Sequence, residues 1–285
     1  MKKNVWFYSL GVIAASIAFI MIYLPIVVII IMSFTPTYSL SELGTGFSFK
    51  WYASLFTSNY DALDIASRYI SNIDYLKEAI GSTFAVTILS TIISTVMGTF
   101  FSIGIHAFTK KKRTALMILN NMSVVNPDIV TGFSLLLVFV LFQNLFHLER
   151  GFVTVLISHI FFSLPYVVLS VLPRLNQIDP NMYEAARDLG CNSLGAIIKV
   201  LIPAISTGII SGAIFAFTMS IDDFVITMFV SGTDYYNVST WIDSCLRRGF
   251  IPKSVYAYNA IIFFIASIFV ITSNIRGNKN RKVVK

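Results

Sequence analysis

Apolar residues gather into six long runs, at about 5–34, 79–108, 115–146, 152–172, 204–230 and 255–275. Each is long enough for the ~20 helical residues that a hydrocarbon core requires. The pattern predicts an all-α membrane protein with about six transmembrane helices, arranged as one transmembrane domain over residues 1–285. The first run follows Lys2-Lys3, is too long for a signal-peptide core and has no small-residue cleavage site behind it. It reads as a retained spanning helix kinked at Pro25. Asn126-Pro127-Asp128 interrupts the third run, and Pro165 lies in the fourth. The polar stretch 35–77, with Glu42, Asp61, Asp64 and Asp74, predicts a loop with short surface helices that places Trp51 and Tyr52 near the membrane interface. A second polar loop, with Asp234, Asp243, Arg247 and Arg248, precedes the sixth span.

Composition supports this reading. The chain has 285 residues, 56% of them hydrophobic and only 12% charged, whereas a soluble domain carries about 25% charged residues. Net charge is +7, but the basic residues cluster between apolar runs, as in Lys110-Lys111-Lys112-Arg113 and the tail from Arg276 to Lys285. That distribution points to topology and away from nucleic-acid binding. With both termini placed in the cytoplasm, fourteen Lys and Arg fall inside and seven outside, the bias expected of a cell-membrane protein. On that topology Cys191 and Cys245 lie on opposite sides and do not pair. His106, His147 and His159 are far apart, so no metal site is expected.

Between the fourth and fifth runs stands the polar segment 179–203, DPNMYEAARDLGCNSLGAIIKVLIP. Asp179 suits an N-cap, Pro180 the first helical position and Gly190 a C-terminal stop, which predicts a helix over 180–189. Asn192 or Ser193 then caps a second helix leading to Pro203. The product is a helical elbow in the cytoplasm.

Glu184-Ala185-Ala186, three residues, Gly190, nine residues, then Val200-Leu201-Ile202-Pro203 resembles the EAA signature of binding-protein-dependent ABC importer permeases. Val200 and Ile202 replace the usual Ile and Leu and remain aliphatic. The resemblance implies a type I importer permease fold, with Glu184, Ala185, Ala186, Arg187, Gly190 and Pro203 coupling the chain to an ATPase. It implies as partners an ABC ATPase dimer, which binds the ATP and Mg, a second homologous permease, an extracytoplasmic binding protein and the lipid bilayer. The chain itself has no Gly-x-x-x-x-Gly-Lys-Ser/Thr phosphate loop; it is expected to be no enzyme and to hold no cofactor.

The stretches around 126–130, 158–165 and 222–225 further resemble spermidine/putrescine permeases, over nearly the whole chain. That implies a polyamine substrate. Asp128 lies about twelve residues, or ~18 Å, into the third run and is expected near mid-membrane. A carboxylate at that depth is costly unless it faces a polar cavity or a partner. Asp222 and Asp223, beside Ser220, stand towards the outer end of the fifth run. Successive helical residues diverge by ~100°, so at most one of the two acids faces the path squarely. No Lys or Arg inside a span offers these acids a fixed partner, and a cationic solute would supply the missing charge. Trp51, Tyr166 or Phe224 would add cation–π contacts. An importer for phosphonate, ferric iron or thiamine shares the EAA signature, and an ion-coupled secondary transporter also suits intramembrane acids.

Overall fold

Among the described residues every regular element is a helix, because the apolar runs must satisfy their backbone groups internally to lie in lipid. The computed structural model describes residues 5–36, 46–57, 67–146, 149–179, 181–233, 235–249 and 251–283. Lys2, Lys3, Glu42, Asp61, Asp64, His147, Pro180, Asp234 and Lys285 lie outside them. Among the described residues four helices are long and apolar enough to cross a bilayer, and a bent pair makes a fifth. The apolar part of the sixth predicted span, Lys253–Ile268, is shorter. The chain divides into two compact units.

The first unit comprises residues 1–77 and 244–285. Its α1 (Val5–Phe34) keeps Pro25 inside the helix. It packs against α13 (Lys253–Val283) and α2 (Lys50–Phe56). Trp51, expected near the membrane interface, is buried within this unit. It is 1% exposed, donates its indole N–H to the Thr35 carbonyl at 2.9 Å and lies beneath the Lys50 ammonium at 4.9 Å. An indole that finds a backbone acceptor is as well satisfied inside as at a headgroup. Phe34, Phe47, Phe49 and Tyr52 stack around the α1–α2 corner at centroid distances of 4.6–6.0 Å.

The second unit comprises residues 78–243. Helix α3 (Ser67–Ala107) begins well before the apolar run, so residues 67–77 are continuous with this long helix and not a separate short surface helix. The Lys110–Arg113 cluster forms the first turn of α4 (Lys110–Val125). Arg113 there donates to the His106 carbonyl and, at 3.2 Å, to Asn176 Oδ1. The predicted third span is in fact two helices, α4 and α5 (Asp128–Phe146), because Pro127 cannot donate and restricts Asn126 to an extended conformation.

Helix α6 (Phe152–Leu175) is the axis of this unit and carries Pro165 and Pro173 within it. Buried Asn120 of α4 donates to the Pro165 carbonyl at 3.3 Å. Helix α10 (Ser206–Ile221) lies against α6 along Gly208, Gly212, Ala216 and Ser220, all buried. Small residues every fourth position let two backbones approach closely. The predicted fifth span is also broken: α10 ends at Ile221, and α11 (Val225–Val230) restarts after three residues and packs on α5. Helix α12 (Val238–Arg247) follows.

Candidate functional site

The elbow folds as its residues dictate, with adjusted bounds. Helix α7 runs Met182–Asp188, shorter at both ends than the predicted 180–189, and its N-cap position is Asn181, not Asp179. Asp179 instead accepts the Asn181 amide at 2.9 Å, making the turn that enters the helix. Gly190 ends it with φ +90°, a backbone conformation that L side chains resist. Its N–H bonds the Arg187 carbonyl at 2.9 Å, and the Cys191 N–H bonds Ala186 O at 3.1 Å. The two bonds close a Schellman motif. Asn192, not Ser193, caps α8 (Ser193–Ala196) by accepting the Gly195 amide at 2.7 Å. A π turn, Ile197–Leu201, follows before α9 (Ile202–Ala204). Pro203 has no N–H for the Lys199 carbonyl, so the ladder widens there and Ile202 bonds Ile197 O. Residues 193–204 meet α10 at 75°.

On this elbow Ala186 is buried, while Glu184, Ala185 and Arg187 point outward. So do Leu189 at 87% exposed, Leu194 and Ile198. The sequence reading missed those three. Their signal was available: large apolar residues in a segment otherwise read as polar, with the Gly190 stop between two of them.

Asp128 occupies the first turn of α5 and is not buried twelve residues into a continuous helix. The position still answers to physics, because a carboxylate in the first helical turn meets unpaired amides and the positive end of the dipole. It lines a cavity of about 330 Å³ together with Asn126, Thr131, Phe161, Phe162 and Tyr166. Asn126 donates to the Thr131 hydroxyl at 2.9 Å on that wall. Lining side chains are apolar, aromatic, hydroxyl or amide apart from Asp128, and none is Lys or Arg.

Asp222 and Asp223 have opposite environments. Asp222 closes α10 and is exposed. The Asp223 side chain is 8% exposed and internally bonded. Its carboxylate accepts the Ile226 amide at 3.2 Å, the Thr227 amide at 2.8 Å and the Thr227 hydroxyl at 2.7 Å. His159 Nε2 stands 3.4 Å from Asp223 Oδ2, so Asp223 has a partner within the chain that is neither Lys nor Arg. The partner is a histidine from α6, sixty-four positions away and invisible to a search for Lys and Arg. Ser220 is buried, with its hydroxyl 2.7 Å from His159 Nδ1 and 3.0 Å from Ser90 Oγ. Asn237 donates to the Asp223 carbonyl at 2.7 Å. Ser220, Asp223, His159, Thr227 and Asn237 therefore form one buried polar network at the α10–α11 break. Asp128 belongs to the separate cavity beside α5, and Trp51 to the first unit.

Among the described residues no group of three or more His, Cys, Asp or Glu side chains is placed to hold a metal ion, and Cys191 and Cys245 are both free thiols.

The profile of the family described as "binding-protein-dependent transport system inner membrane component" matches residues 94–285. The chain is 30% identical over 260 residues to the spermidine/putrescine transport system permease protein PotC of Haemophilus influenzae, covering 91% of this chain and 93% of that protein. It is 29% identical to PotC of Escherichia coli K12, over 89% of this chain and 88% of that one. Against the putrescine transport system permease protein PotI of the same organism the identity is 29%, over 83% and 80%.

Proposed function

Because the chain belongs to the family of binding-protein-dependent transport system inner membrane components, we propose that it is the permease subunit of an ATP-driven importer that carries polyamines across the cell membrane. The carrying observation is the cavity beside α5. It holds one carboxylate, Asp128, among aromatic and hydroxyl side chains with no lining cation. An alkyl chain bearing ammonium groups fits those walls: carboxylate to ammonium, ring faces of Phe161, Phe162 and Tyr166 to the cation and methylenes. A phosphonate would meet the wrong charge there. Exposed Asp222 supplies a second acid for the path, while Ser220 and Asp223 act from behind it as its support.

The elbow is the docking surface for the ATPase. Leu189, Leu194 and Ile198 give it apolar contact, and Glu184 and Arg187 orient it. An ATPase dimer, holding ATP and Mg, grips one such elbow on this chain and another on a second permease. Closure on ATP draws the elbows together and opens the path outward to a polyamine-binding protein; hydrolysis resets it. Both termini of this chain lie in the cytoplasm. No bond of the solute is broken, so the chain contributes geometry and charge.

Uptake of radiolabelled spermidine or putrescine by proteoliposomes holding the assembled importer tests the reading. Saturable, ATP-dependent uptake that Asp128→Asn depresses is the expected result. Uptake of an anionic solute in place of polyamine would overturn it.

A further inference from the structure

The break between α10 and α11 is bridged by a side chain from a third helix. His159 of α6 is 2% exposed. Its Nδ1 lies 2.7 Å from the hydroxyl of Ser220, in the last turn of α10, and its Nε2 lies 3.0 Å from the hydroxyl of Thr227, in the first turn of α11. One rigid ring thus joins the two sides of a discontinuity where the backbone ladder is interrupted.

The Thr227 hydroxyl donates to Asp223 Oδ2 at 2.7 Å, so its oxygen accepts from the ring and Nε2 carries a proton. Nδ1 pairs with the Ser220 hydroxyl, whose oxygen also lies 3.0 Å from Ser90 Oγ on α3. Each ring nitrogen has a use that a space-filling residue would not supply. A helix of six residues such as α11 does not hold itself. Its placement depends on these bonds and on its packing against α5 and α6.

We propose that His159 is a positioning residue for translocation. By bolting α10 to α11 it keeps Asp223 turned inward onto Thr227, and leaves the neighbouring Asp222, exposed at the end of α10, presented outward to the solute path. This rests on the path role given to Asp222 above. It explains how adjacent acids with the same chemistry end in opposite environments, one exposed and one 8% exposed. Glutamine is the conservative replacement, since its amide offers a donor and an acceptor on one planar group. Leucine fills the space and bonds to neither side.

The test uses the assembled importer with Cys191→Ser and Cys245→Ser, carrying either Asp222→Cys or Glu149→Cys. The labelling rate with a small cationic methanethiosulfonate is read at each position. Position 149 is the internal control, because it is exposed ahead of α6 and lines neither the polar network nor the cavity of Asp128, whose wall includes Ile226 of α11. The rate at 222 divided by that at 149 is expected to fall by about tenfold in His159→Leu, the scale of losing a buried hydrogen-bonded bridge. His159→Gln restores most of the ratio. A ratio unchanged by His159→Leu in assembled complex overturns the proposal. Should that variant not assemble, Ser220→Ala and Thr227→Val remove the two arms singly; each must shift the ratio in the same direction, and no shift overturns it equally. Labelling does not depend on which solute is carried, so failure of the polyamine reading shows separately, in the uptake assay.

Discussion

Val167 Cγ1 lies 2.7 Å from the point at which a Cβ on Gly98 would stand. The same valine methyl is 3.2 Å from the equivalent point on Gly212, so α6 is clasped between glycines of α3 and α10. Val167 is fully buried in the core that also holds Ile105, Val171 and Ala216. Lipid offers no hydrophobic drive for helix association, which leaves close packing to hold these helices together.

Gly98→Ala is therefore expected to destabilise, by ~1–3 kcal/mol, since a packed β-branched side chain must move. Gly104 has nothing within 4 Å of its Cβ position. Gly104→Ala should be neutral or stabilising by up to ~1 kcal/mol, from helix propensity. Thermal unfolding in detergent, followed by size-exclusion fluorescence, compares the two. Equal effects would mean that the α3–α6 contact is loose.

The three acids separate into two kinds. Asp223→Asn leaves the Thr227 donors with a poorer acceptor and should cost ~1–3 kcal/mol of stability. Asp128→Asn and Asp222→Asn, both on exposed carboxylates, should change stability by less than ~0.5 kcal/mol. They should nevertheless lower polyamine uptake by about tenfold, the equivalent of one lost charge contact of ~1.4 kcal/mol. Paired melting and uptake measurements on the three variants check the division.

At the elbow, Leu189→Asp places a charge on an apolar contact 87% exposed in this chain and should weaken ATPase co-purification by more than about tenfold. Gly190→Ala puts a Cβ at φ +90°, costing ~1–2 kcal/mol of local strain, and should loosen coupling while leaving the complex assembled. Glu184→Ala should likewise let ATP hydrolysis continue with less transport. The ratio of solute moved to ATP consumed reads both.

Burial pushes the Cys245 thiol above its ordinary range, with weaker opposing effects from Ser244 and Arg248. Only the thiolate attacks a maleimide. A raised value lowers the thiolate fraction at every pH below it, so labelling of Cys245 should be slow at neutral pH and keep rising with pH beyond the normal thiol range. Cys191 is half-buried and should label first in the folded protein. Mass-spectrometric mapping after a pH series checks the order, and equal rates in denaturant serve as control.

Local chemistry alone was sufficient for much of this protein. The long helix α1, the existence of the elbow, its stop at Gly190 and a cap at Asn192 or Ser193 follow from apolar run length and from residues within four positions of one another. The family signature is local in the same way. Pro127 marks a break from sequence, but not that α4 and α5 become separate helices with Asp128 in a first turn. Packing resolved what proximity along the chain could not. Ser220 and Thr227 meet His159 across 61 and 68 positions, and Trp51 finds Thr35 across 16. Which of Asp222 and Asp223 faces inward depends on a donor set assembled from α6, α11 and the segment before α12. Run length and capping are properties of a few neighbouring residues, whereas the pairing of a buried polar group is settled only when distant helices dock and leave it no water to bond.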